Sequence, residues 1–352
     1  PLILGIESSC DDTACAVVDG EGRVRASVVS SQLEVHRPWG GVVPEIASRE
    51  HLRNWPVVSA AALGEVGVEV RDVDAVAATR GPGLVGSLLV GLSLGKAIAY
   101  ALDRPFFAVH HMEGHLFSPF LGPEGAPAEP VPDRFVGLVV SGGHSLIVEV
   151  AAAGGEVHTV AETRDDAMGE VFDKVGKRIG LAFPGGPALD RLAEEGDAAA
   201  HPMTVASCGE SLDLSFSGLK SQALLDLDRL AAGGVVTEVD AEGALPPPVL
   251  DVLAGFRASA VDQILDRLGR LHDQRPIATL AVSGGAAANR LLRRRLVPWA
   301  EERGIDLRLV PLVYSGDNAA MIAHAALLRH RRGESDDPRA VDAISRLPLE
   351  RS

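Results

Sequence analysis

Two stretches decide how this chain is built: Val139-Val140-Ser141-Gly142-Gly143-His144 and Ala281-Val282-Ser283-Gly284-Gly285-Ala286. Each is an apolar run ending in Ser-Gly-Gly, which reads as a strand feeding a small-residue turn. The two serines stand 142 residues apart. Successive backbone N–H groups in such turns form concave anion sites, and glycine lets the backbone approach a phosphate closely. The opening of the chain adds a third turn of this kind. Leu2–Glu7 and Ala14–Val18 read as strands around the small polar turn Ser8–Thr13, with Val24–Val29 following Asp19-Gly20-Glu21-Gly22. The recurrence predicts a two-lobed α/β protein holding a nucleotide in a cleft.

Outward from these turns, the pattern predicts a helix near Val43–Leu63, a strand Ala75–Thr79, the loop Arg80–Gly83, an apolar helix to Leu102 and a strand Phe106–Val109. Gly122–Arg134 is the best linker. Strands Phe135–Val140 and Ser145–Val150 follow, then a helix over Asp166–Gly180, the turn Phe183–Gly186 and another helix. Ala231–Pro248 reads as a mobile surface insertion. Helix Val249–His272, strand Ile277–Val282 and helix Ala287–Arg303 come next, and the residues after Gly333 read as a frayed tail.

With 352 residues, 46% hydrophobic and 23% charged, the chain is long enough for two cores. Aromatics are 4% against 38 glycines, so packing falls to small and aliphatic side chains. Three cysteines, an odd number, argue against a disulfide framework and for a reducing compartment. No basic leader precedes the first strand, and Leu84–Leu102, the richest apolar run, reads as a buried helix with Lys96 snorkelling. The expected location is the cytoplasm. A formal net charge of −15 opposes unaided binding of nucleic acid, whose affinity comes largely from cations neutralising phosphates. Arg290–Arg295 and Arg329–Arg332 are the available basic clusters, and such runs are usually solvated helix faces.

The clearest chemical signal is Ala108-Val-His-His-Met-Glu-Gly-His115. Two imidazoles four residues apart on a helix share a face, so His111 and His115 can reach one metal ion. Asp317, in Ser315-Gly-Asp-Asn-Ala-Ala-Met321, offers a carboxylate at a glycine-bearing turn before an apolar helix. A His₂–carboxylate set leaves coordination positions open for chemistry. Three other motifs fail. Gly81-Pro-Gly83-Leu-Val-Gly86 matches a dinucleotide fingerprint, but Pro82 removes a donor inside it. Gly91–Lys96 is one residue short of a P-loop and Ala97 replaces its hydroxyl. A metalloprotease needs Glu directly after the first His, whereas Glu113 is two residues on; Glu113 reads instead as orienting a histidine.

Together these residues resemble the tRNA N6-adenosine threonylcarbamoyltransferase family, bacterial TsaD/Gcp type, once labelled O-sialoglycoprotein endopeptidases. The matching pieces run in order: Gly5-Ile-Glu-Ser-Ser-Cys-Asp-Asp-Thr13, Gly41–Arg49, Arg80–Leu84, His110–His115, Val140–His144, Asp166–Lys174, Phe183–Gly186, Phe216–Lys220, Ser283–Asn289 and Asp317–Met321. Departures are mild: Ser8 where Thr is common, Asp12 for Glu, and Ser145-Leu146 after the first Ser-Gly-Gly-His.

The resemblance implies a duplicated, ribonuclease H-like, actin-like ATPase/sugar-kinase architecture with mixed sheets flanked by helices. Residues 1–125 would carry the histidines, 126–316 the nucleotide turns, and 317–345 a helix returning to the first lobe. It implies transfer of a threonylcarbamoyl group from threonylcarbamoyl-AMP to N6 of the adenosine 3′ to the anticodon, in tRNAs reading codons that begin with A, releasing AMP. It implies one divalent metal ion per subunit, Fe²⁺ ahead of Zn²⁺, on His111, His115 and Asp317. Substrate and nucleotide contacts would be Val139, Val140, Ser141, Gly142, Gly143, Asp173, Gly186, Asp190 and Asn289, with Asp11 as acceptor of the N6 proton. The turns Ser141–Gly143 and Ser8–Asp11 would hold the phosphate, and Asp173 and Asp190 the ribose. The implied partners are a paralogous actin-like subunit of the TsaB type and a small P-loop ATPase of the TsaE type. A kinase of the same architecture or a non-catalytic scaffold are the competing classes, and the histidine pair opposes both.

Overall fold

The opening strand β1 (Ile3–Glu7) is buried at every position, as a central strand covered on both faces must be. The computed structural model describes residues 1–151, 155–205 and 208–349, the side chain of residue 124 excepted. From β1 the chain forms β2 (Asp12–Val18), β3 (Val24–Ser31), α1 (Leu33–His36), α2 (Pro44–Val66), β4 (Ala75–Gly81), α3 (Val85–Leu102), β5 (Phe106–His110) and α4 (His111–Phe117). It continues through β6 (Phe135–Val140), β7 (Ser145–Ala151), β8 (Glu156–Glu162), α5 (Met168–Arg178), α6 (Gly186–Leu192), α7 (Ser217–Ala232) and α8 (Pro247–Gln274). β9 (Thr279–Ser283), α9 (Arg290–Glu301), β10 (Asp306–Leu309) and α10 (Ala319–Arg331) follow.

The chain divides into two compact units. One comprises Pro1–Asp133, Ala151–Val157 and Val310–Ser352, the other Arg134–Val150 and His158–Leu309. The sequence reading set its boundaries after residues 125 and 316. The stretch beyond 125 is tied into the first unit by Ala128 N donating to Glu21 O and Glu129 N to Phe120 O, at 3.1 and 2.8 Å.

Strand order is β3-β2-β1-β4-β5 in one sheet and β10-β9-β6-β7-β8 in the other. Read from its opposite edge, the second sheet repeats the first. β1 pairs antiparallel with β2 and parallel with β4, and β6 does the same with β7 and β9. The fold is thus one mixed α/β motif used twice. The Ser-Gly-Gly pair does not mark that duplication, however. Ser141 and Ser283 end β6 and β9, adjacent parallel strands of one sheet, with Val139 in register with Ser283. The equivalent ends in the first unit carry Glu7-Ser8-Ser9 and Arg80-Gly81-Pro82-Gly83, so the recurring tripeptide measures the distance between neighbouring strands within one unit.

Successive residues of β1 face opposite sides of the sheet. On one side a Cβ at Gly5 would lie 2.3 Å from Ala319 O, so α10 packs directly on the backbone. On the other, a Cβ at Gly91 would lie 2.3 Å from Ser8 Oγ, so α3 lies equally close. The core on that side gathers Leu4, Ile6, Val17, Val58, Val76, Leu92 and Phe106. The reading of α3 as a buried helix needs correction. Only its stripe Ser87, Leu88, Gly91, Leu92, Gly95, Ala99 is buried, while Leu89 and Tyr100 are 50% and 69% exposed. Among the described residues α3 alone is long and apolar enough to cross a membrane, yet that stripe is spent on the sheet.

Four elements escaped the sequence reading, the single-turn α1 among them. β8 and β10 are edge strands with much of their length half-exposed, so neither shows a clean apolar run. α7 is anchored by Asp165, whose carboxylate accepts from Phe216 N and Ser217 N, a contact between residues about 50 apart. The expected mobile insertion is pinned: Val239 N donates to Ile179 O at 2.9 Å and Thr237 is buried. The expected frayed tail is likewise fastened. Asp336 bridges Phe106 at the edge of β5, Val341 is buried, and Ile344 N donates to Arg80 O at 2.8 Å.

His324, in the middle of α10, is fully buried and neither ring nitrogen has a hydrogen-bond partner. Burial, and then the Arg331 charge, push its pKa down to about 3. The folded ring stays neutral while an unfolded one protonates below about pH 6.5. The unfolded chain then binds more protons, so stability falls as pH drops from about 6.5 toward 3, by up to ~1.4 kcal/mol per unit. Replacing His324 with Leu should remove this term. The melting temperature of the variant relative to the parent should rise steadily between pH 6.5 and 4, and a constant difference would contradict the reading.

Candidate metal centre and nucleotide pocket

The first site lies where β1, β4 and β5 end, the edge at which parallel α/β sheets collect ligands. β5 runs directly into α4, all seven residues of which are buried. One turn of this helix separates His111 from His115, whose rings meet edge to face with centroids 4.8 Å apart. Asp317 arrives from the turn before α10. There Asn318 caps the helix by accepting from Met321 N, and its amide donates to Tyr314 O and Gly316 O. His115 Nε2 lies 3.1 Å and His111 Nε2 3.5 Å from Asp317 Oδ1. One donor atom from each of the three residues lies within 4.8 Å of the others. Two ligands each about 2.1 Å from one ion stand roughly 3.0–3.4 Å apart; the two imidazole–carboxylate separations match this spacing, and a small closing of the rings would let all three residues hold a divalent cation.

Sequence reasoning missed Glu7, the fully buried last residue of β1. Its Oε2 accepts from Thr79 Oγ1 at 2.6 Å and lies 3.1 Å from His111 Nδ1, while Ser9 N donates to Oε1 at 2.5 Å. A carboxylate behind a histidine fixes ring orientation and raises the basicity of the other nitrogen. The available signal was a lone charge ending an apolar strand. Burial works against a charge on His111, but the carboxylates of Asp317 and Glu7 outweigh it and hold the pKa well above its usual value. Asp317 is opposed by burial and held well below the usual range by His111 and His115. Glu113, expected to orient a histidine, is buried and acts electrostatically on Arg329.

The first turn is occupied by the fold. Ser8 Oγ donates to Ser87 O and accepts from Gly91 N, and Ser9 O accepts from Leu84 N. Ser8 and Ser9 are both buried. Asp11 follows, its carbonyl accepting from Gln32 N. At its neighbour Asp12, burial, then Asp317 and Asp11, push the carboxyl up to about 7. The loop Arg80–Gly83 is no phosphate cradle either, since Gly83 N donates to Ser345 O.

The second unit holds a cavity of about 330 Å³. Gly142, Asp173, Gly186, Asp190 and Asn289 line it, together with Phe172 and Gly285. Val139, Val140, Ser141 and Gly143 do not. Val139 and Val140 are fully buried in β6, paired with Leu146 and Ser145, because a central strand spends its side chains on the core. Ser141 closes its own turn with His144, and Gly143 stands exposed beside it. Asp173 accepts from Gly186 N at 2.8 Å, and burial raises its pKa.

Asp190 is more heavily engaged. It accepts from Asn289 Nδ2 at 2.8 Å, Arg290 N at 3.0 Å and Arg257 Nη1 at 3.3 Å. Asn289 also caps α9 by accepting from Leu292 N. Arg257, on α8 and only 5% exposed, was invisible to sequence reasoning. Lys174 and Lys220 both pair with Asp166. The basic clusters are largely neutralised: Arg290 and Arg294 pair with Glu194, Arg295 with Asp262, and Arg329 and Arg332 with Glu334.

Glu7→Gln should weaken Co²⁺ or Zn²⁺ binding by about 10-fold or more, measured by competition with a chelator; unchanged affinity would remove Glu7 from the centre. Asp190→Ala removes the nearer carboxylate from the buried Arg257, leaving Glu194 at 3.6 Å as its counter-charge, and should destabilise the protein by about 2–3 kcal/mol in urea unfolding. A loss under about 1 kcal/mol would show that Asp190 does not hold the pocket wall.

Residues 23–324 match a family model described as tRNA N6-adenosine threonylcarbamoyltransferase. A protein of that name from Salinibacter ruber is 46% identical over 338 residues, covering 96% of this chain and 97% of the relative. One from Thermus thermophilus is 43% identical over 349 residues, covering 99% of each. Among solved structures, HypF of T. kodakarensis superposes with a TM-score of 0.59 at 15% identity, over 94% of this chain and 48% of that one; this likeness concerns the fold alone. With a match of this extent and identity along nearly its whole length, the chain belongs to the tRNA N6-adenosine threonylcarbamoyltransferase family.

Proposed function

We propose that the chain performs its family's reaction with the groups described above. The threonylcarbamoyl group of threonylcarbamoyl-AMP passes to N6 of the adenosine 3′ to the anticodon, in tRNAs reading codons that begin with A. The carbonyl carbon gains a bond to nitrogen, its bond to the phosphate oxygen breaks, AMP leaves, and the amine loses a proton. The observation that carries this reading is the convergence of His111, His115 and Asp317 in a chain that spans 97% of a relative of that family.

An adenylate is a good leaving group, so no covalent enzyme intermediate is needed. The exocyclic amine of adenine is a poor nucleophile, and positioning must supply much of the acceleration, up to roughly 7–11 kcal/mol. His111, His115 and Asp317 hold the divalent ion, Fe²⁺ ahead of Zn²⁺, and Glu7 keeps the His111 ring turned toward it. Such an ion, when bound, supplies Lewis-acid polarisation of a carbonyl oxygen. The second unit's pocket takes the nucleotide. Asp173 accepts from the ribose, Asn289 and Gly186 shape the wall, and the exposed turn at Gly142–Gly143 offers backbone amides to the phosphate. Asp190 supports this wall from behind. The turn Asp11–Asp12 supplies the proton acceptor, Asp11 by the family resemblance, with Asp12 beside it raised to about 7 by burial.

Paired basic clusters on a chain of net charge −15 leave little free cationic surface for tRNA. We assign the missing surface to a paralogous actin-like subunit of the TsaB type, with a small P-loop ATPase of the TsaE type as a second partner, all in the cytoplasm.

Asp317→Asn, which keeps the shape of the turn and leaves His111 paired with Glu7, should retain the melting temperature to within a few degrees. It should lose stoichiometric metal and at least 100-fold of the AMP release that depends on tRNA and threonylcarbamoyl-AMP. Full turnover by the variant, with partners present, would refute the role of this centre.

A further inference from the structure

We infer that His110 is a positioning residue for the metal centre, and that residues 336–349 act through it as a latch on the helix carrying His111 and His115. The inference rests on the metal reading above and adds to it a part of the chain that reading does not use. β5 enters α4 without a loop, so residue 110 is both the last residue of a strand and the cap of a helix. Its Nδ1 accepts from Met112 N at 3.1 Å and its Nε2 lies 3.0 Å from Leu347 O. An amide N–H only donates and a carbonyl only accepts, so the ring is neutral with its proton on Nε2. The side chain is only 5% exposed. One imidazole therefore ties the first turn of the histidine helix to a backbone carbonyl 237 residues along the chain.

The same segment is fastened along its length. Asp336 N donates to Phe106 O and Asp336 Oδ2 accepts from Ala108 N, each at 2.8 Å. Arg329 on α10 pairs with Asp336 at 3.1 Å. Val341 O accepts from Lys96 Nζ at 2.6 Å, Ile344 N donates to Arg80 O at 2.8 Å, and Ser345 O accepts from Gly83 N at 3.2 Å. A Cβ at Gly81 would stand 2.0 Å from Ile344 O, so the loop after β4 is shaped to receive this backbone. A seven-residue helix has little stability of its own. Burial of all seven residues against α10 holds its axis, and the cap fixes the first turn, where His111 is the very next residue. Displacing residues 344–349 removes the acceptor that holds the capping ring.

Full-length variants test this. His110→Asn keeps a good capping acceptor but is too short to reach Leu347, and Ile344→Pro deletes the donor to Arg80. Two quantities are measured: Co²⁺ affinity by chelator competition, and hydrogen exchange of the 111–117 amides without metal. We expect each variant to bind Co²⁺ about 10-fold more weakly and to exchange faster in α4 than in β1 or β2. The double variant should be no weaker than the weaker single one. Parental affinity and exchange in Ile344→Pro, exchange that rises equally throughout the first unit, or losses that multiply in the double variant would each overturn the latch. If the parent protein takes up no Co²⁺, the metal reading fails, and the exchange measurement still decides the latch.

Discussion

A buried imidazole between two carboxylates organises the first unit. His111 faces Glu7 through one nitrogen and the half-buried Asp317 through the other, and burying the charge of Glu7 or His111 without a partner is costly. The three must come together, and they come from β1, the start of α4 and the turn before α10. The sheet order that sets β1 beside β4 and β5, and the close packing of α10 over Gly5, are the conditions under which that triad assembles. The chemistry of the site and the packing of the unit therefore rest on the same contact.

The second unit solves a similar problem with a different carboxylate. Asp190 gathers Arg257 from α8, Asn289 from the α9 cap and the amide of Arg290, so the pocket wall is a hydrogen-bonded lattice rather than an apolar slot. Asp173 meets only backbone amides of the Gly185–Gly186 turn and is displaced upward in pKa by burial; it is the better placed of the two to meet a ligand. Two aspartates that look equivalent in the sequence thus differ in their surroundings, and the proposed function gives Asp190 a structural role and Asp173 a ligand-facing one.

The two units share strand order and direction but not the use of their strand-end turns. After β6 and β9, Gly142, Gly143 and Gly285 stand beside open space. After β1 and β4, the same positions are filled by Ser8 bonded into α3 and by a loop bonded to the segment after α10. On the proposed function, the duplicated sheet is specialised, one copy toward a nucleotide and the other toward a cation. At these turns of the first unit the polar groups of Ser8 and of the loop after β4 are satisfied internally.

Much of the architecture is written locally. Strand periods, the glycine turns, the Asn318 cap and the four-residue histidine spacing are short-range patterns, and short-range sterics and hydrogen bonding dictate them. The family match carries the reaction itself, because its motifs run in order from Gly5 to Met321. What the local pattern could not contain is any relation across hundreds of residues: Glu7 behind His111, Arg257 beneath Asp190, Leu347 against His110. Nor could it show which Ser-Gly-Gly matches which, since strand adjacency is decided by sheet pairing and not by order along the chain. Val139 and Val140 illustrate the limit. They sit inside the right motif, yet being central in β6 commits their side chains to the core, and only the folded sheet decides which positions of a motif face a ligand.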